Sequence, residues 1–171
     1  RLSGEQALAI TNKVFDKEIS NAKGYSVHYG SIKNGEKAID DVIVTIFKGP
    51  KSFTGENSVE IACHGSTFIQ QSIIELLLQN GATMAQAGEF SKRAFFNGKM
   101  DLSQTEAIAD LIHSTSAAAH QVAMNQMRGG FSNDLKVLRA KLIHFASMIE
   151  LELDFSEEDV EFADRKQFEN L

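Results

Sequence analysis

The chain has 171 residues, 43% hydrophobic and 23% charged, which is ordinary globular composition and enough for one sizeable core or two small ones. Its single cysteine, Cys63, excludes an internal disulfide framework and fits a reducing cytoplasm, and no apolar run approaches the roughly 20 residues that span a bilayer. The net charge of -6 is uneven: residues 1–100 carry 11 basic against 10 acidic side chains, residues 101–171 carry 6 against 13, and no concentrated basic face is visible for nucleic-acid phosphates.

Arg1-Leu2-Ser3-Gly4 does not read as a signal peptide, because no basic segment followed by an apolar stretch is present. Opening on Arg1 without an initiator methionine, the chain is expected to begin part-way into a structural element. Ser3 and Gln6 have the spacing of a capping box, and Ala7, Ile10 and Val14 share one face of a helix expected over Gln6–Glu18. Tyr25–Ile32 and Ala38–Phe47 are rich in β-branched and aromatic residues. Asn34-Gly35 between them tolerates the positive φ of a tight turn, so the pair predicts a hairpin. Ser58–Ala62 predicts a further strand. Phe68–Gln79, with Ile69, Ile73, Leu76 and Leu77, predicts a helix ended by Asn80-Gly81. Phe90, Ala94 and Phe95 can share the face of another helix, ended by Asn97-Gly98. Together these elements describe an α+β domain with a mixed, largely antiparallel sheet.

From Ser103 onward the strand pattern stops. Ile108, Leu111, Thr115, Ala118 and Val122 mark one long helix ending near Gly129-Gly130. Ser132 is then expected to cap a second, carrying Leu135, Leu138, Leu142, Phe145 and Ile149. Two such helices cannot bury both apolar stripes alone, and the residues that follow supply at most one short helix. An incomplete all-α bundle is predicted. The acidic run between Glu150 and Asp164 reads as a solvated face.

Two segments are dense in chemistry. In Pro50–Gly65, Glu60 lies between Val59 and Ile61 and so faces away from them in a strand. It is either a solvent-facing carboxylate or an acceptor for two parallel N–H donors of a ligand. Adjacent Cys63 and His64 point to opposite faces and make a poor metal pair. Cys63 reads as core and His64 as support for the following turn. His113, His120 and His144 fall on helices and read as surface or packing residues. In Gly88–Leu102, Lys99 projects from the junction between the two halves, a place that favours ligand clefts, although an isolated lysine is usually solvated. There is no GxxxxGK[ST] phosphate loop and no GxGxxG, and Asn12-Lys13-Val14-Phe15 lacks the aspartate of a guanine-reading NKxD motif. No GTP binding is expected of this chain.

Arg1-Leu2-Ser3-Gly4, Ser52-Phe53-Thr54-Gly55-Glu56, Val59-Glu60-Ile61, Cys63-His64-Gly65, Gly88-Glu89-Phe90, Arg93-Ala94-Phe95 and Asn97-Gly98-Lys99 together resemble the MnmE/TrmE family of tRNA modification GTPases. Asp101-Leu102, Ala107, Asp110-Leu111-Ile112 and Asp154-Phe155 continue the resemblance in order along almost the whole chain. Ser66, Ala87 and Met100 depart from it, where the family usually has glycine, proline and leucine.

The resemblance implies a folate-binding, homodimerising domain over residues 1–100. Over residues 101–171 it implies the first part of a discontinuous helical domain, into which a Ras-like GTPase domain, absent here, is inserted. It implies a tetrahydrofolate derivative (5-formyl- or methylene-tetrahydrofolate) as cofactor, with potassium and magnesium serving only the GTPase domain. It also implies a cytoplasmic homodimer working with an FAD-dependent MnmG-type partner. With a folate one-carbon unit, these proteins install an aminomethyl-type group (5-carboxymethylaminomethyl) on the wobble uridine of tRNA. The family's folate contacts carry over onto Arg1, Glu60 and Lys99, and no catalytic or metal-binding residue is implied. Glu60 suits the donor edge of a reduced pterin, while Arg1 and Lys99 suit carbonyl or carboxylate oxygens. Two other readings stay open: a dimerisation scaffold without folate binding, and a free-standing aminomethyltransferase-like folate enzyme.

Overall fold

A computed structural model describes residues 1–154, which form two compact units, Arg1–Asp101 and the part from Leu102 onward. The first unit is α+β. Its order is β1 (Leu2–Ser3), α1 (Ala7–Val14), β2 (Ser26–Asn34), β3 (Lys37–Phe47), β4 (Ser58–Ala62), α2 (Thr67–Gln79) and α3 (Glu89–Phe96). The four strands form one sheet in the order β1-β4-β3-β2, antiparallel at every pairing.

Strand alternation decides which side chains go inward. Val42, Val44 and Ile46 of β3, with Ile32 of β2 and Val59 of β4, are buried under α1 and α2, which contribute Ile10, Val14, Ile73, Leu76 and Leu77. Burying each such aliphatic side chain contributes about 1.5–3 kcal/mol relative to exposure. The intervening residues Val27, Tyr29 and Ile43 remain exposed on the other face. The hairpin turns at Gly35 with φ +61°, and Asn80-Gly81 ends α2 as expected, with Ala82 N–H donating to the Leu77 carbonyl. Gly30 has no room for a side chain, because a Cβ there would collide with Asp16 and the Phe15 ring.

The start of the chain differs from the capping-box expectation. Ser3 lies in β1, and its hydroxyl is taken by Thr54, Glu56 and Ser58, while Gln6 at the N-cap position makes no side-chain cap. Distant hydroxyls and a carboxylate outcompete the local helix terminus for this group. The helix also stops earlier than Glu18: Phe15 turns extended and bridges to Ile32. Asn12 then accepts from the Ile19 N–H and donates to Glu18.

The second unit is helical, with α4 (Leu102–His113), α5 (Ala117–Met127) and α6 (Gly130–Asp154). The single helix expected across Ser103 to Gly129 is two. At Ser114-Thr115-Ser116 the hydroxyls compete with the helix ladder: Ser114 Oγ donates to the Leu111 carbonyl, and Ser116 caps α5 by accepting from Ala119 N–H. Ser132 is not a cap either. Gly129, at φ +84°, reverses the chain so tightly that α6 already starts at Gly130. Helix α6 buries none of its residues, and Leu135, Leu138 and Leu142 stay exposed, as an incomplete bundle requires. The short helix expected after it, with most of the acidic run, lies outside the described residues.

Candidate functional site

The β3–β4 connection and α3 are tied together by a polar network. Ser3 Oγ lies 2.6 Å from Thr54 Oγ1 and 3.1 Å from Ser58 Oγ, and donates to Glu56 Oε2 at 2.9 Å. Arg93 Nη1 donates to the same Glu56 oxygen at 3.3 Å, while its Nε and Nη2 donate to Glu89 Oε1 at 3.1 and 2.6 Å. Asn97 Nδ2 donates to the Thr54 carbonyl at 2.7 Å. Charge-assisted bonds of this kind favour the ionised forms: the Arg93 bond holds the Glu89 carboxyl below its usual range, and Glu89 in turn raises the Arg93 guanidinium. The Ser52–Glu56, Arg93 and Asn97 motifs are thus partners in one structural assembly.

Above this network lies Arg1. Its Nε is 2.8 Å from Glu60 Oε1, and both side chains are about half exposed, at 43% and 45%. Its guanidinium also lies over two aromatic rings, 5.6 Å from the Phe53 centroid and 5.5 Å from that of Phe90. Glu60 is set by register: it pairs with Thr45, while its neighbour Val59 pairs with Ile46 and is fully buried.

Beside Arg1 opens a groove of about 700 Å³, walled by β1 and α1 on one side and by α2, the residues after it and the start of α3 on the other. Ile61, Ile73, Leu77, Met84 and Phe90 supply its apolar lining. Cys63, expected in the core, is partly buried and packed against it, and also lines the groove.

Of the three site residues read from the sequence, the structure brings Arg1 and Glu60 into contact and places Lys99 elsewhere. Lys99 Nζ donates to the Pro50 carbonyl at 2.9 Å and its stem lies along Gly55; neither Lys99 nor Glu60 lines the groove, and Glu60 faces the opposite side of β4 from Ile61, which does. His64 does more than support a turn. Its backbone N–H and ring Nδ1 reach the two oxygens of Asp40 on β3, at 2.8 and 2.7 Å, and the backbone bond is the main cause holding the Asp40 carboxyl below its usual range. The sequence reading passed over Phe53, Phe90 and Arg93 as site-forming residues. The four-residue spacing of Glu89 and Arg93 was a legible sign of their pairing, whereas nothing local points Phe53 at Arg1.

Comparison with known proteins agrees with this organisation. The family described as "GTP-binding protein TrmE N-terminus" matches residues 1–99, and the "MnmE helical domain" matches residues 102–171. Proteins named "tRNA modification GTPase MnmE" are 60% identical in Flavobacterium psychrophilum, 60% in Cytophaga hutchinsonii and 57% in Bacteroides thetaiotaomicron. Each alignment covers all of this chain but only 37–38% of the relative's length. Both family matches and these identities run the length of the sequence, so the chain belongs to the TrmE/MnmE family, of which it carries the amino-terminal and helical regions.

Proposed function

We propose that the chain is the amino-terminal portion of a tRNA-modifying GTPase, and that its first unit binds a reduced folate and forms a homodimer. The relatives' shared name supports the tRNA-modifying part of this reading. The Arg1–Glu60 pair, of which Arg1 lines the groove, is the observation that supports the folate part.

The residues suit the ligand. A half-exposed carboxylate can exchange its arginine for the paired N–H donors of a pterin at small cost, because exposed ion pairs contribute about 0–1 kcal/mol. The Phe90 ring and the apolar walls offer flat and aliphatic surface to a planar heterocycle, and the groove has the size of a small-molecule site, roughly 300–1,000 Å³. When bound, the folate would supply the one-carbon unit. An FAD-dependent partner of the MnmG type would join it in building the aminomethyl-type group on the wobble uridine. GTP hydrolysis, with its potassium and magnesium, would belong to a domain outside this chain, and the whole would work in the cytoplasm.

Titration calorimetry with 5-formyltetrahydrofolate tests the folate reading. Glu60→Gln keeps the shape but turns one acceptor into a donor, and should weaken binding by about 1.5–3 kcal/mol, roughly ten- to hundredfold. Lys99→Ala should cost about 0–1 kcal/mol, since that side chain is exposed and engaged with Pro50. Equal affinity of wild type and Glu60→Gln would remove Glu60 from the site.

A further inference from the structure

We propose that Phe53 and Phe90 are positioning residues for Arg1, holding its guanidinium so that the terminal nitrogens are presented to an oxyanion of the ligand when Glu60 is claimed by the ligand's donors. The identity of that ligand rests on the folate reading above; the positioning itself rests on geometry. Among the described residues, the ion-pair partner of Arg1 is Glu60, reached through Nε at 2.8 Å, which leaves the two Nη groups as donors. The guanidinium lies 5.6 and 5.5 Å from the two ring centroids, inside the range in which a cation is attracted to a π face.

A half-exposed arginine held only by one carboxylate swings free as soon as that carboxylate finds other donors. Two rings change this, because the attraction to them survives the loss of Glu60. An already immobilised fork loses less rotamer freedom on binding than a free one.

The rings themselves are held by separate means. Phe53 sits in the β3–β4 connection, where Ser52 Oγ donates to the Glu56 carbonyl and Thr54 is bonded to Ser3. Phe90 is the second residue of α3, anchored by Glu89–Arg93. The Arg93–Glu56 and Asn97–Thr54 bonds join the two segments, so both rings keep one arrangement. Phe53 is 42% exposed, so its ring is open to Arg1 rather than sealed in the core.

The test uses the chain as it stands, with Phe53→Leu, Phe90→Leu and the matching tyrosine variants. Leucine keeps apolar bulk without a π face, whereas tyrosine keeps the face. Two quantities are read: the hydrogen-exchange rate of Arg1 Nε–Hε by NMR without ligand, and the calorimetric affinity for 5-formyltetrahydrofolate. Each leucine variant is expected to speed Arg1 exchange and weaken folate binding by about two- to fivefold, with both tyrosine variants near wild type. Unchanged Arg1 exchange in both leucine variants overturns the proposal whatever folate does. Faster exchange with unaltered folate affinity overturns the positioning role. A wild-type chain that binds no folate, yet whose Arg1 responds to the rings, supports the positioning and sinks the folate reading alone. Phe53→Leu, at an exposed site, keeps the test open should Phe90→Leu misfold.

Discussion

Arg93 reaches Glu56 across 37 residues of sequence, with Nη1 3.3 Å from Oε2, while its other nitrogens grip Glu89 one helical turn away. One guanidinium thereby fixes the angle at which α3 meets the β3–β4 connection. Arg93→Leu should remove all three bonds and leave the Glu56 carboxylate with only Ser3. Because the pair is partly exposed, the expected loss is about 1 kcal/mol rather than the several seen for buried pairs. Thermal unfolding of the first unit checks it; an unshifted midpoint would mean that Asn97 and Ser3 suffice to hold the two segments.

Gly55 carries a φ of +81°, and a Cβ there would stand 3.2 Å from Asn97 and 3.3 Å from Lys99. Gly55→Ala combines left-handed strain with a tight approach by the segment after α3, and should destabilise the first unit by about 1–2 kcal/mol. The urea midpoint is the measurement. A variant as stable as wild type would show that the loop relaxes away without cost.

Asp40 and Glu89 both have carboxyls held below their usual range, the first mainly by the His64 backbone N–H and the second mainly by Arg93. A depressed folded-state pKa contributes stability that is fully present above the unfolded value and is lost as pH falls through the folded one. Stability of the first unit is therefore expected to be level from neutrality to about pH 5 and to decline below about pH 4. Asp40→Asn should lower stability at neutral pH and flatten the acid decline. Urea midpoints measured across pH for both proteins decide it, and identical slopes would exclude Asp40 as a contributor.

The chain should show no specific affinity for guanine nucleotides. It lacks a GxxxxGK[ST] loop, whose backbone N–H groups and lysine would otherwise supply phosphate affinity. A titration with GDP and with a non-hydrolysable GTP analogue checks this, and measurable specific binding would show a site that the sequence does not reveal.

Homodimer formation is the remaining expectation. The first 100 residues are close to charge neutrality, so self-repulsion is weak. Val27 and Tyr29 on the edge strand β2 are each 63% exposed, an apolar surface open to a second protein surface. Sedimentation at micromolar concentration should give a dimer, and Tyr29→Glu should shift it toward monomer. A wild-type monomer would count against the proposed assembly.

What could be read from the sequence was what short stretches decide by themselves. The hairpin about Gly35, the strand Ser58–Ala62, the helix ended by Asn80-Gly81 and the helical character after Ser103 all follow from periodicity and from residues suited to one turn geometry. The order of motifs also carried the family resemblance, and several of its segments in the first unit, around Ser3, Thr54, Glu56, Arg93 and Asn97, meet in space. Local rules failed where one group had both near and far partners. Ser3 looked like a helix cap, yet its hydroxyl goes to residues 51, 53 and 55 positions away; nothing near Lys99 in the chain points to Pro50, yet it is bonded to the Pro50 carbonyl. Arg1 and Glu60 were each legible as polar groups of suitable chemistry. Only chain closure, which puts β1 beside β4 and brings α3 against the β3–β4 connection, placed them 2.8 Å apart, with Arg1 over two aromatic rings. A side chain's partner is chosen by what the whole fold delivers to it, and spacing along the chain carries no record of that delivery.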